Sequence, residues 1–170
     1  KGWSTSGVLW ARSTVSWHGA AATTCSFPDV LASDLIVLIG SNPANNQPVF
    51  MKYLYEAKRE GTKVAVVNPY LEPGLDKYWV PSSPESALFG TKICDLHVPV
   101  RPGGDVAFIN AVLKLLIADG AVDQAFIADH TQGWDDLVAA LTAQSMDDLL
   151  TTAGLTLAHV RSFADLYGRA

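Results

Sequence analysis

The sequence has 170 residues, 49% of them hydrophobic and 17% charged, with a formal net charge of -5. That length is enough for one domain with a sizeable core, and the composition excludes a disordered chain. The acidic balance excludes a general grip on nucleic acid, which needs a basic face, but not a small anionic ligand held by backbone N–H groups and helix ends.

The chain begins at Lys1 rather than Met, inside sequence that reads as ordered. It is therefore expected to be a piece of a longer protein, and the lack of a targeting signal says little about that protein. A cytoplasmic location is the working expectation. No apolar run approaches the ~20 residues of a membrane span. Trp3, Trp10 and Trp17 are seven residues apart, which places them on one helical face. A helix over Val8–His18 is expected, its tryptophans packing into a core rather than forming a stacking platform. The only cysteines, Cys25 and Cys94, are too few for a disulfide framework and lack metal-ligand spacing. Both read as buried free thiols.

Residues 35–39, Leu-Ile-Val-Leu-Ile, are continuously apolar and predict a strand buried on both faces, as in a parallel sheet covered by helices. The strand stops at Gly40. A polar loop follows, Ser41, Asn42, Pro43, Ala44, Asn45, Asn46 and Gln47. Pro48 suits the first turn of a helix, and Val49–Glu60 carries one apolar face through Val49, Tyr53 and Leu54. Gly61 stops that helix, and Lys63–Asn68 is a second apolar strand ended by Pro69. Strand, helix and strand in about 35 residues form a βαβ unit, nearly always right-handed. The loop after the first strand then lies at the carboxyl edge of the sheet, where open α/β folds bind ligands.

Residues 69–92 read as a long ordered loop with a short helix near Pro84–Leu88, and such a loop usually has a function or covers something. Asp95–Val100 predicts a third, short strand, Arg101–Asp105 a turn, and Val106–Ala118 a strong helix closed by Gly120. Further helices are expected at Asp123–Ala128, Trp134–Ala143, Met146–Ala153 and Leu157–Tyr167, with Asp123 and Thr156 as caps. The fold class is α/β: a three-layer αβα arrangement with a mainly parallel, Rossmann-like sheet and a helical C-terminal part. Residues 1–170 read as a single domain, of which 122–170 is a mostly helical extension.

Three places carry candidate chemistry. Gly40 permits a tight turn and close approach, while Ser41, Asn42, Asn45 and Asn46 supply short neutral donors and acceptors. With the N–H groups of the helix after Pro48 they form a seat for a phosphate, or else a plain structural loop. The stretch is neither Gly-x-Gly-x-x-Gly nor a P-loop. Asn68, ending the second strand, stands where dinucleotide-binding folds commonly contact a ribose hydroxyl; it also fits a turn-forming Asn-Pro step. Gly103-Gly104-Asp105 lies between the third strand and a helix. Asp105 is either a helix N-cap or a carboxylate that accepts two hydrogen bonds from guanine N1–H and N2–H₂, a donor pair adenine lacks. The four histidines, His18, His97, His130 and His159, are scattered and read as structural or solvated, and no nucleophile elbow is present. No catalytic residue and no metal ligand is identified.

Taken together, Asp34–Pro48, Lys63–Pro69 and Arg101–Asp105, followed by Ala125–Gly133, resemble the molybdopterin oxidoreductases of the dimethyl sulfoxide reductase superfamily in order and spacing. Asn46–Val49 and Val67–Gly74 resemble the formate-dehydrogenase-like branch most. The resemblance covers about Ala20–Leu141. It implies a parent of several hundred residues with molybdenum or tungsten on two molybdopterin guanine dinucleotides, each held by one α/β domain, of which this chain looks like one. Carried over by position, Gly40, Ser41 and Asn42, with the neighbouring Pro43, Asn45 and Asn46, would meet the pyrophosphate and nearby groups. Asn68, where the family commonly has Asp, would face the ribose. Asp105, held by Gly103 and its turn, would read guanine. Tyr70 stands where the wider superfamily often has Arg. The family's metal ligand would fall near Ser4–Ser6, where no Cys-His-x-Pro pattern occurs, and Cys25 lies too close to the first strand to replace it. An iron–sulfur cluster is possible in the parent but not in this chain. The implied partners are the remainder of the parent polypeptide, a small-molecule substrate and an electron-transfer partner, with two-electron redox at the metal and a fragment inactive alone. The alternatives are a stand-alone guanine-nucleotide-binding module and a purely structural α/β module.

Overall fold

The computed structural model describes residues 26–80, 86, 88 and 90–170. The helix expected at Val8–His18, its tryptophans and Cys25 lie outside the described residues, as does most of Pro84–Leu88, of which Ser86 and Leu88 are helical. The chain divides into two compact units, Lys1–His97 and Val98–Ala170.

In the first unit, helix α1 (Phe27–Leu31) begins where the Ser26 N–H and hydroxyl both donate to the Asp29 carboxylate, at 2.7 and 2.8 Å. Strands β1 (Leu35–Ile39) and β2 (Lys63–Val67) pair in parallel, from Leu35 opposite Lys63 to Ile39 opposite Val67. Strand β3 (Leu96–Val98) adds on the other side of β2, giving the order β1-β2-β3. Between β1 and β2 lie a helical turn α2 (Pro43–Asn46) and the helix α3 (Pro48–Arg59); α4 (Pro73–Asp76) follows β2.

The unit is α/β, and its core follows from the apolar runs. Ile36 and Leu38 of β1, Val64 and Val66 of β2, and Phe50, Met51, Leu54 and Ala57 of α3 are buried together with Leu75, Ile93 and Cys94. Burial of this kind is the dominant favourable contribution to folding. Phe27 stacks on Tyr53 at 3.9 Å between ring centroids, joining α1 to α3. The central strand β2 is buried from Val64 to Val67. β1 is not buried on both faces as its sequence suggests: Leu35 and Val37 are half-buried and Ile39 is 39% exposed. Among the described residues β1 is an edge strand, and a continuous apolar run does not distinguish an edge from a centre. Asp95 fastens the entry to β3, its Oδ2 accepting from Lys58 Nζ at 2.6 Å and from the Val64 N–H at 2.8 Å.

The second unit is helical: α5 (Asp105–Ala118), α6 (Gln124–His130), α7 (Trp134–Thr142), α8 (Met146–Ala153) and α9 (Leu157–Tyr167). Asp123 accepts from the Phe126 N–H at 2.9 Å and Thr156 accepts from that of His159, so both expected caps are formed. α5 packs on α8 and α9, with Phe108 edge-on to Phe163 at 5.1 Å. Lys114 reaches past the end of α7 and donates to the carbonyls of Leu141 and Gln144 at 2.6 and 2.8 Å. Among the described residues no helix is long and apolar enough to cross a membrane.

Candidate cofactor-binding site

The register of β1 against β2 brings two chain reversals side by side. Ile39 faces Val67, so the next residues, Gly40 and Asn68, leave the sheet together. Gly40 takes φ 60°, a left-handed conformation that side chains disfavour, and apart from its chain neighbours no described residue comes within 4 Å of where a Cβ would stand. Its N–H is already engaged by the Val67 carbonyl at 3.1 Å. The N–H groups of Ser41 and Asn42, in contrast, donate to no described residue.

The residues after Ser41 are not the open loop that their composition suggests. Asn42 caps α2, its Oδ1 accepting from the Asn45 N–H at 3.3 Å, and Pro43 is buried in the first helical position. Asn followed by Pro is the same start signal that Pro48 provides for α3, one turn earlier. The turn leaves the side chains of Asn45 and Asn46 exposed. It is pressed close to α4: a Cβ on Gly74 would lie 2.5 Å from Ala44 Cβ.

Asn68 is 7% exposed and ties the corner together. Its Nδ2 donates to the Ser41 carbonyl at 3.0 Å, joining the exit from β2 to the exit from β1. Its Oδ1 is fully covered and has no hydrogen-bond partner among the described residues. An unmet buried acceptor of this kind costs about 1–3 kcal/mol and asks for an explanation, a bound group being one. The fixed Nδ2 bond settles which amide atom points where, so the free atom is an acceptor and suits a hydroxyl or N–H. Sequence reasoning missed His97. From β3, its Nε2 reaches to 3.0 Å from the Asn68 carbonyl oxygen. Only the strand order reveals that neighbour; nothing in the local sequence does. His159, by contrast, serves as a cap partner for Thr156, as a structural histidine would.

Gly103 and Asp105 belong to the second unit, at the start of α5. The turn before them is docked on the end of α8: the Arg101 N–H donates to the Ala153 carbonyl at 2.8 Å, and Gly104 N–H to the Arg101 carbonyl at 2.8 Å. Gly103 takes φ 82°, and apart from its chain neighbours no described residue comes within 4 Å of where a Cβ would stand. Gly104 is required by contact, because a Cβ there would lie 2.7 Å from Ala153 Cα. Gly104 rather than Asp105 is the N-cap. Asp105 is the first helical residue, exposed, and its carboxylate accepts no hydrogen bond among the described residues. The N-cap position weighed for it is therefore held by Gly104, and no described side chain caps the helix. A carboxylate here still gains from the helix dipole. Among the described residues no cluster of His, Cys, Asp and Glu is disposed to hold a metal ion.

Comparison with known proteins gives this geometry a context. The chain is 30% identical over 164 residues to protein YdeP of Escherichia coli, a match spanning 89% of this chain and 22% of YdeP. It is 28% identical over 152 residues to the F420-dependent formate dehydrogenase 1 subunit alpha of Methanococcus maripaludis, spanning 89% of this chain and 20% of that subunit. The chain thus spans about a fifth of the length of these curated relatives. Among solved structures, acetylene hydratase from Pelobacter acetylenicus shares the fold, with a TM-score of 0.59 at 20% identity over 78% of this chain and 16% of the hydratase. The molybdopterin oxidoreductase family model matches residues 11–159, nearly the whole chain, and the chain belongs to that family.

Proposed function

We propose that this chain is a molybdopterin-guanine-dinucleotide-binding domain of a formate-dehydrogenase-like oxidoreductase acting in the cytoplasm. In this reading residues 1–170 work as one domain of the three-layer, Rossmann-like kind, with residues 122–170 as its helical extension. The cofactor, with molybdenum or tungsten, supplies two-electron redox chemistry. The remainder of the parent polypeptide supplies the second dinucleotide site, any iron–sulfur cluster and the contacts to substrate and electron partner.

The observation that carries the reading is Asn68. A buried, unpartnered acceptor beside the β1 exit is what a ribose hydroxyl would satisfy. The rest of the corner fits the same group. Gly40 leaves room for close approach, and the Ser41 and Asn42 N–H groups are available for a pyrophosphate. Pro43, buried at the first position of the α2 turn, fixes the position from which Asn45 and Asn46 present their amides. Asp105, exposed and not engaged as a cap, suits the paired donors of guanine, with Gly103 supplying its turn. Likeness to formate dehydrogenase subunits supports the choice of branch.

Calorimetry of the chain with GDP tests the reading. Wild type should bind GDP, and Asp105→Asn should weaken binding more than about tenfold while changing unfolding free energy by less than about 1 kcal/mol. Matched losses of binding and stability would reduce Asp105 to a structural residue. No binding by wild type at millimolar GDP would count against the reading as a whole.

A further inference from the structure

We infer that His97 is a positioning residue for the nucleotide corner, holding the Asn68 carbonyl through a proton on Nε2 and so keeping the Asn68 amide aimed at Ser41. The inference rests on the reading of Asn68 as a cofactor contact and adds a third strand to that site.

The geometry constrains the chemistry. A carbonyl oxygen only accepts, so at 3.0 Å the ring nitrogen facing it must be the donor. His97 therefore carries hydrogen on Nε2, and that bond selects the tautomer. Nδ1 makes no hydrogen bond to a described residue, so nothing competes for the choice. The Asn68 carbonyl belongs to the Asn68–Pro69 peptide, and Pro69 contributes no N–H. Asn68 is also one residue beyond β2, outside the paired ladder. Its carbonyl would have no strand partner at this point, and His97 of the adjacent β3 supplies one.

That carbonyl's direction fixes ψ of Asn68, and with it the side chain's path to the Ser41 carbonyl. Two bonds from one residue thus link all three strands: main chain to β3, side chain to the exit from β1. Releasing the first lets the second drift, and the unpartnered Oδ1 then loses its fixed direction.

The test uses two substitutions in the full chain. His97→Phe keeps an aromatic ring and removes the donor; His97→Gln restores an N–H at a similar reach. Hydrogen exchange of the Asn68 side-chain amide, followed by NMR, reports the link without any ligand. GDP calorimetry reports its consequence. In wild type the nitrogen-15 spectrum should show the Nε2–H form. His97→Phe should lose Asn68 amide protection and weaken GDP about three- to tenfold, and His97→Gln should recover both. Unchanged protection in His97→Phe, or a wild-type ring protonated on Nδ1 alone, overturns the inference. A wild-type chain that ignores GDP while its Asn68 amide still follows the substitutions supports the His97 link and removes only the nucleotide reading.

Discussion

The contact between Gly74 and Ala44 offers a quantitative check on how the corner is built. A methyl group at Gly74 would sit 2.5 Å from Ala44 Cβ, whereas carbon atoms pack best at about 3.5–4.0 Å. An overlap of roughly 1 Å must be relieved by moving α2 away from α4, and overpacking of that kind costs about 1–3 kcal/mol. Ala44→Gly alone should cost only about 0.5–1 kcal/mol, from backbone entropy in a helical turn. The combination removes the clash, so the double variant should be about as stable as Ala44→Gly by itself. The interaction energy is then about 1–3 kcal/mol in favour of the pair, well above the few tenths expected of independent sites. Urea unfolding of wild type, both single variants and the double variant, followed by circular dichroism, measures each arm. Additive losses would refute the close approach of α2 to α4, and with it the placement of Asn45 and Asn46.

Other expectations address the second unit, the sheet and the site. Lys114→Met keeps the side chain's length but removes the ammonium from the Leu141 and Gln144 carbonyls, and should destabilise the chain by about 1–3 kcal/mol. An unchanged urea midpoint would show that water serves those carbonyls equally well. Burial, and then the Asp95 carboxylate, push the Cys94 thiol up from its ordinary value. The folded chain thus favours the protonated thiol, whose contribution to stability is complete below the ordinary thiol range and is lost as pH rises through it and beyond. Wild type should lose stability relative to Cys94→Ala between neutral and strongly alkaline pH; parallel curves would contradict this.

Much of the chain's architecture can be read from its residues, for identifiable reasons. β1 occupies the apolar run Leu35–Ile39, because Gly40 and the polar residues after it cannot continue a buried strand. Asp123 and Thr156 mark helix starts because their side chains meet free N–H groups, a local interaction independent of the rest of the fold. The burial of β1 was not legible, since it depends on which strands and helices become neighbours. α2 was hidden by composition: four residues of Pro, Ala and Asn look like a loop until Asn42 is seen as a cap. α1 and α4 are equally short, and one helical turn carries no periodicity. Asp105 could be placed at a helix start, but only the coordinates show that Gly104 takes the cap and that Ala153 forbids any side chain there. His97 and the unmet acceptor of Asn68 are products of strand order and of tertiary burial, and no spacing in the sequence encodes them.

The proposed function depends most on the asparagine corner and the Asp105 turn both serving one guanine nucleotide. Backbone NMR of the isotopically labelled chain during a GDP titration measures this directly. Gly40–Asn46, Asn68 and Gly103–Asp105 should shift together along one saturation curve, and GDP should move them further than ADP does. Shifts confined to one of these stretches, two curves with different midpoints, or equal responses to GDP and ADP would contradict it.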